Sequence, residues 1–217
     1  MGLNILIIGS GLSGLATATF LRKHHKITIL EKSHLDFSKN DYGISVVSNA
    51  YNLLQQAGID DKNLDMAIMT RLWVRDFENK EVLTRDFDTR KIFGAPSVLT
   101  RRSLLQKELH RLATSGELEG EPPSIFENVK VEKVDANAGV VHTLDGRTFT
   151  GELVIGADGI NSVVRSAVLS ENGQGSKKDA ATTHDLLAYM AQIPISAVDK
   201  HARSGRASCR ERVYHSV

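Results

Sequence analysis

The sequence predicts an α/β fold: a Rossmann-like β-α-β unit, a β-meander, and a second layer or domain that contains sheet. Three observations carry this reading. The first thirty residues alternate between strand and helix periods around a run of glycines. Asp145-Gly146 sits between two short strand-like runs, a strong hairpin signal. The stretch from Arg71 to Arg90 has two apolar runs flanking a polar one, which reads as a further hairpin outside the first layer.

Taken in order, Leu3 to Ile8 is a nearly continuous apolar run, expected of a strand buried on both faces. Leu12 to Lys23 carries Leu15, Phe20 and Leu21 at helical intervals with Ala16 and Ala18 between them. Lys26 to Leu30 is the second strand, and a parallel pair joined in this way requires a right-handed crossover. Asn49 to Ala57 reads as a helix with Gly58 as its C-terminal stop. In the hairpin, Leu72-Trp73-Val74 and Val82-Leu83 flank Asp76 to Glu81. Arg101 to Ala113 is amphipathic, with Leu104, Leu105, Leu109 and Leu112 as its apolar stripe. Lys130–Val134, Val140–Leu144 and Thr148–Thr150 are strand candidates. Leu153-Val154-Ile155 follows, and a helix begins near Asn161 or Ser162. Gly173 to Asp179 is a polar loop, and Tyr189 to Ile195 begins another strand.

The chain has 217 residues, 27 Lys+Arg against 26 Asp+Glu, 41% hydrophobic residues and one cysteine. A near-neutral balance argues against a general nucleic-acid binder, which needs a basic face for phosphate. One cysteine cannot form an internal disulfide, so a reducing, cytoplasmic location is expected. No apolar run reaches the roughly 20 residues of a bilayer span. The first 21 residues lack a basic leader and are broken by glycines, so no signal peptide is expected. No His/Cys/Asp cluster has metal-ligand spacing, and no metal is expected. His24 and His25 read as basic groups at a helix end, and Trp73 as core packing.

Gly9-Ser10-Gly11-Leu12-Ser13-Gly14 lies between the first strand and the first helix. The first glycine permits the tight turn, the second lets a pyrophosphate approach the backbone, and the third lets helix and strand pack closely. The free N–H groups and positive end of the helix then face the phosphate. Glu31 ends the second strand, where a carboxylate can accept from both hydroxyls of an adenosine ribose. This pattern predicts dinucleotide binding; alone it does not separate NAD from FAD.

Gly156-Ala157-Asp158-Gly159, followed by Asn161, Ser162 and Arg165, matches a GADG-x-x-S-x-x-R pattern. With the N-terminal glycines and Arg102, the chain resembles the FAD-dependent aromatic-ring monooxygenases of the salicylate/para-hydroxybenzoate hydroxylase type. The resemblance covers about residues 3–170. It implies that Gly9, Ser10, Gly11, Leu12, Ser13 and Gly14 hold the FAD pyrophosphate and that Glu31 and Lys32 lie at the adenosine end. Gly43 would lie in the segment near the flavin ring. Arg102, with Leu105 and Leu109 in the family's R-x-x-L-x-x-x-L helix, would reach the pyrophosphate or ribityl region, with Arg101 as the adjacent alternative. Asp158 would touch FAD and help NAD(P)H engage; its bland alternative is a carboxylate that caps the following helix.

The resemblance implies a FAD-binding domain over residues 1–70 and 97–172, with 71–96 and 180–202 as parts of a substrate-domain sheet. The family's distal Gly-Asp motif and most of that sheet have no counterpart in the sequence. Met190 stands where many members carry an active-site arginine. Ser204 to Val213 has no apolar period and resembles a translated sequencing adapter, which predicts a non-native or disordered tail over residues 203–217, with a frayed, basic natural terminus as the alternative. The expected function is the FAD-binding portion of an NAD(P)H-dependent monooxygenase that hydroxylates a small aromatic substrate. Catalytic residues are not assigned. A non-catalytic FAD- or nucleotide-binding remnant and a plain NAD dehydrogenase remain as alternatives.

Overall fold

β-Branched and leucine side chains dominate the first strand because both of its faces are covered. Four of its five residues are buried, and alternate side chains point to opposite sides of the sheet. The computed structural model describes residues 2–38, 41–76, 78, 80–86 and 88–171. The strands are β1 (Asn4–Ile8), β2 (Lys26–Leu30), β3 (Gly43–Val46), β4 (Ala67–Ile68), β5 (Arg71–Arg75), β6 (Glu81–Asp86), β7 (Val98–Arg101), β8 (Ser124–Phe126), β9 (Val131–Asp135), β10 (Val140–Thr143), β11 (Thr148–Thr150) and β12 (Leu153–Gly156). The helices are α1 (Leu12–Leu21), α2 (Ser48–Gln56), α3 (Thr89–Phe93), α4 (Arg102–Thr114) and α5 (Val163–Glu171). The described residues divide into two compact units, 2–37 with 106–171, and 38–105.

The first unit is built on a four-stranded parallel sheet ordered β12-β1-β2-β8. α1 packs against β1 and β2, burying Leu15 and Ala18 completely. Leu6, Ile8 and Leu30 form a core with Val129, Val131, Val134, Val141 and Val164, and Phe149 and Val154 pack against it. Val131, Val134 and Val141 come from the antiparallel meander β9-β10-β11, Val129 from the residues just before β9, and Val164 from α5, which packs on β9 and β12. The Asp145-Gly146 turn closes the β10–β11 hairpin as expected. Gly146 has φ +82°, and the Asp145 carboxylate accepts from the Thr143 hydroxyl at 2.6 Å and the Arg147 guanidinium at 2.6 Å.

In the second unit β7 runs antiparallel between β3 and β4. The Thr100 hydroxyl donates to the Leu64 carbonyl beneath it. α2 ends as its sequence predicts: Ala57 is the C-cap and Gly58 follows with φ +86°, a conformation that costs glycine little. The expected hairpin is β5–β6, and all of β6 is exposed.

Some boundaries differ from the sequence reading. The first helix stops at Leu21 rather than Lys23, because the chain turns at Arg22 and both His24 and His25 donate to the Leu21 carbonyl. The hairpin ends at Asp86. Residues 89–93 instead form α3, started by the Asp88 carboxylate and stopped by Gly94. The short strands β3, β4, β7 and β8 have two to four residues each, too few to show a period. The expected strands within 180–202, the loop at 173–179, Met190 and the tail at 203–217 lie outside the described residues.

Candidate functional site

The C-terminal ends of β1, β2 and β12 meet in the first unit, and the glycine loop leaves β1 between its two neighbours. In open α/β sheets this end of the strands is where ligands bind. The Gly9 N–H donates to the Leu30 carbonyl at 2.8 Å, and the Ala157 N–H donates to the Ile8 carbonyl at 2.8 Å. The Gly9–Gly14 and Gly156–Gly159 motifs, 147 residues apart in sequence, therefore lie side by side.

Each glycine of the loop has a different reason to be there. Gly9 has φ +102°, and a Cβ on it would lie 2.5 Å from the Ala157 carbonyl oxygen. A Cβ on Gly14 would lie 1.9 Å from the Gly9 carbonyl oxygen, so the close passage of α1 over the strand end demands hydrogen there. Gly11 is the opposite case, because nothing lies within 4 Å of a Cβ placed on it. That open space borders the start of α1, whose N-cap is Gly11 and which has no side-chain cap. The N–H groups of the first turn lack intrahelical partners, and with the helix dipole they make a cradle for a diphosphate. Leu12 is half-buried and Ser13 exposed at this turn. The residues present fit a dinucleotide pyrophosphate.

Glu31 follows β2 and is partly buried. Its Oε2 accepts from the Ser10 N–H at 2.8 Å and the Ser10 hydroxyl at 2.7 Å, and its Oε1 accepts from the Ser33 N–H at 3.0 Å. A carboxylate has about four acceptor positions, so these three bonds leave one, on Oε1. Lys32 is exposed on the same loop.

Asp158 faces α5. Its carboxylate accepts from the Ser162 hydroxyl at 2.6 Å and the Val163 N–H at 2.7 Å, and the Ser162 hydroxyl oxygen accepts from the Arg165 N–H at 2.9 Å. This is a double cap on the helix start. What lies against the glycine loop is Ala157 and the backbone of Asp158.

Gly43 and Arg102 lie in the second unit. Gly43 opens β3 opposite Arg101, with nothing within 4 Å of a Cβ placed on it. The Arg102 N–H donates to the Tyr42 carbonyl at 2.8 Å, and its guanidinium carbon lies 6.0 Å from the centre of the Tyr42 ring. The Asp41 carboxylate caps this end of α4 by accepting from the Ser103 N–H at 3.0 Å, and Arg101 pairs with it at 3.7 Å.

Sequence reasoning missed Gln106. It is buried, and its amide donates to the Ser10 carbonyl at 3.0 Å. The available signal was a polar residue on the inward stripe of an amphipathic helix, next to Leu105 and Leu109. A cleft of about 590 Å³ opens at the other end of β1 and β12, lined by Asn4, Asn137, Glu152 and Val168 among others. Its polar groups bond to their neighbours, Asn4 to Glu152 at 2.8 Å and Asn137 to Glu171 at 3.1 Å. Nothing there resembles the cradle at the strand ends.

The parallel sheet and the glycine cradle together define a dinucleotide-binding α/β domain. Residues 3–206 match the family described as FAD binding domain, and the chain belongs to that family. It is 31% identical over 172 residues to hispidin-3-hydroxylase of Neonothopanus nambi, covering 78% of this chain and 40% of that protein. It is 28% identical over 209 residues to 3-hydroxybenzoate 6-hydroxylase 1 of Aquipseudomonas alcaligenes, covering 92% of this chain and 50% of that protein. The fold is similar to that of 2-methyl-3-hydroxypyridine-5-carboxylic acid oxygenase. The TM-score is 0.63 at 24% identity, over 77% of this chain and 42% of that one. The chain thus spans about half the length, or less, of these relatives. Among the described residues, no helix is long and apolar enough to cross a membrane.

Proposed function

We propose that this chain is the FAD-binding portion of an NAD(P)H-dependent monooxygenase that hydroxylates a small aromatic ring. The observation that carries the reading is the open space at Gly11, bordered by the uncapped start of α1 and lying at the ends of parallel strands. The relatives' names supply the reaction class, since 3-hydroxybenzoate 6-hydroxylase is named for adding oxygen to a benzoate ring.

In this reading Gly9, Ser10, Gly11, Leu12, Ser13 and Gly14 form the pyrophosphate cradle, and the remaining acceptor position of Glu31 takes a ribose hydroxyl. Lys32 stands at the adenosine end. Arg102 and Gly43 are assigned to the pyrophosphate and flavin ends by the resemblance of their motifs. Asp158 contributes by holding α5, and with it the Gly156–Gly159 backbone, against the glycine loop. Bound FAD supplies hydride acceptance and oxygen activation; the protein's part is to bind it, orient it and exclude water.

The test is to purify the 217-residue chain, look for bound flavin by its visible absorbance, and then follow NAD(P)H oxidation with hydroxybenzoates. The expected result is a yellow protein that oxidises NAD(P)H and reduces O₂ mainly to hydrogen peroxide, with little hydroxylated product. Bound flavin with no NAD(P)H oxidation would instead identify a binding remnant, and retention of NAD without flavin a dehydrogenase.

A further inference from the structure

We propose that Gln106 is a positioning residue for FAD: from α4 it holds the Ser10–Gly11 peptide so that the Gly11 N–H is available to the pyrophosphate. The inference rests on the reading of the Gly9–Gly14 loop as an FAD cradle.

Ser10 is 1% exposed, and all three of its polar groups are engaged. Its N–H and hydroxyl donate to Glu31, and its carbonyl accepts from the Gln106 side chain at 3.0 Å. A carbonyl oxygen only accepts, so the amide nitrogen of Gln106 must be the atom that faces it. The Ser10–Gly11 peptide is trans, and in a planar trans peptide the C=O and N–H point in opposite directions. With the carbonyl drawn toward α4, the Gly11 N–H is directed away from it. Gly11 is also where the loop has open space.

This peptide needs an external lock. Gly11 has no Cβ to resist rotation of the peptide plane. A rotated peptide would present the Ser10 carbonyl oxygen to the approaching phosphates and withdraw a donor at the same time. Ordinary packing would place an apolar side chain at position 106, beside buried Leu105, Leu109 and Leu112. A glutamine buried there is costly unless its amide is bonded, and its bond runs to the loop that carries the cradle.

The test compares the full chain with Gln106→Met, which keeps the side chain's length and removes the donor. FAD, ADP and adenosine binding are titrated, and thermal unfolding of the flavin-free proteins is followed by circular dichroism. The expected result is a loss of about tenfold in affinity for FAD and for ADP, the loss of a hydrogen bond or two. Adenosine, which has no phosphate, should bind as weakly as before, and the unfolding transition should stay cooperative and fall by no more than the loss of one buried hydrogen bond explains. Unchanged FAD and ADP affinity would overturn the inference. So would equal weakening of all three ligands, which would mark a merely structural role. Should Gln106→Met not fold, Gln106→Asn, which retracts the amide by one methylene, carries the same expectation and the same failure. A parent chain that binds neither FAD nor ADP would overturn the cradle reading itself, and this inference with it.

Discussion

A methyl group on Gly14 would lie 1.9 Å from a backbone oxygen, whereas one on Gly11 meets nothing within 4 Å. The two positions of one motif therefore separate stability from binding. Gly14→Ala has to push α1 off the strand end and is expected to destabilise the fold by about 1–3 kcal/mol, read as a lower melting temperature. Gly11→Ala is expected to leave the melting temperature of the flavin-free protein unchanged and to weaken FAD binding at least tenfold, because its methyl occupies the phosphate space. A flavin titration of both variants checks the pair, and equal effects on melting would refute the division of labour. The motif's spacing was legible in the sequence. So was the division of its glycines, the second left open for the ligand and the third required by helix packing; that the Gly156–Gly159 segment, arriving from the far side of the chain, lies against the loop was not.

At the scale of elements, two polar arrangements, one partly buried and one buried, fix helix ends. Asp158 and Ser162 together start α5. Asp158→Ala is expected to cost about 1 kcal/mol, as the loss of an N-cap does. The Gly156–Gly159 pattern was legible, yet the carboxylate's direction was not, because capping and cofactor contact demand the same residue at the same place. If Asp158→Ala lowers the melting temperature and leaves the flavin-free chain's affinity for FAD within twofold, capping is its whole role in binding. Arg22 fixes the other end of the domain. The residue is 2% exposed, and its guanidinium donates to the carbonyls of Leu112 and Ala113, in the last turn of α4, and of Gly120, at 2.7–3.1 Å. A cation suits the negative end of a helix, and these carbonyls have no helical partners of their own. Arg22→Met fills the space but strands the carbonyls, and a loss of roughly 2–4 kcal/mol is expected in denaturant unfolding. Nothing in the local pattern distinguishes Arg22 from the surface charges Lys23 and Lys26 beside it.

For the whole molecule, acid is expected to act in two steps. Burial pushes the His110 imidazole below its ordinary 6.5, against the opposing pull of Glu127; its ring packs 5.3 Å from that of Phe37. The unfolded chain then binds the proton more readily, so stability declines as pH falls below about 6.5 and the decline ends below the folded value. Glu127 is held below its ordinary 4.5 by the Leu35 N–H and by His34. Asp86 is held down by Arg71, and Asp145 by Arg147 and Thr143. These carboxylates contribute stability above their unfolded values that is lost as pH falls through the folded ones. Melting temperatures taken from pH 7.5 downward should fall first below about 6.5 and again below about 4.5. His110→Gln should remove the first step and keep the second; a first step that persists in this variant would exclude His110 as its source.

What the sequence determined by itself is what lies within a few residues. The strand, glycine loop, helix and strand of residues 3–30 were legible, as were the Asp145-Gly146 hairpin and the start of α5 near Asn161 or Ser162, because propensity, period and turn chemistry act at short range. The tertiary structure alone decided that β12, arriving 145 residues after β1, pairs with it in register Ile5 to Leu153, and that the three-residue β8 extends the sheet beyond β2. It alone turned Asp158 onto α5 and Gln106 onto Ser10. Those outcomes depend on which strands become neighbours, and that is chosen by the burial of whole faces and the pairing of backbone groups across the chain, for which no local spacing carries a signal.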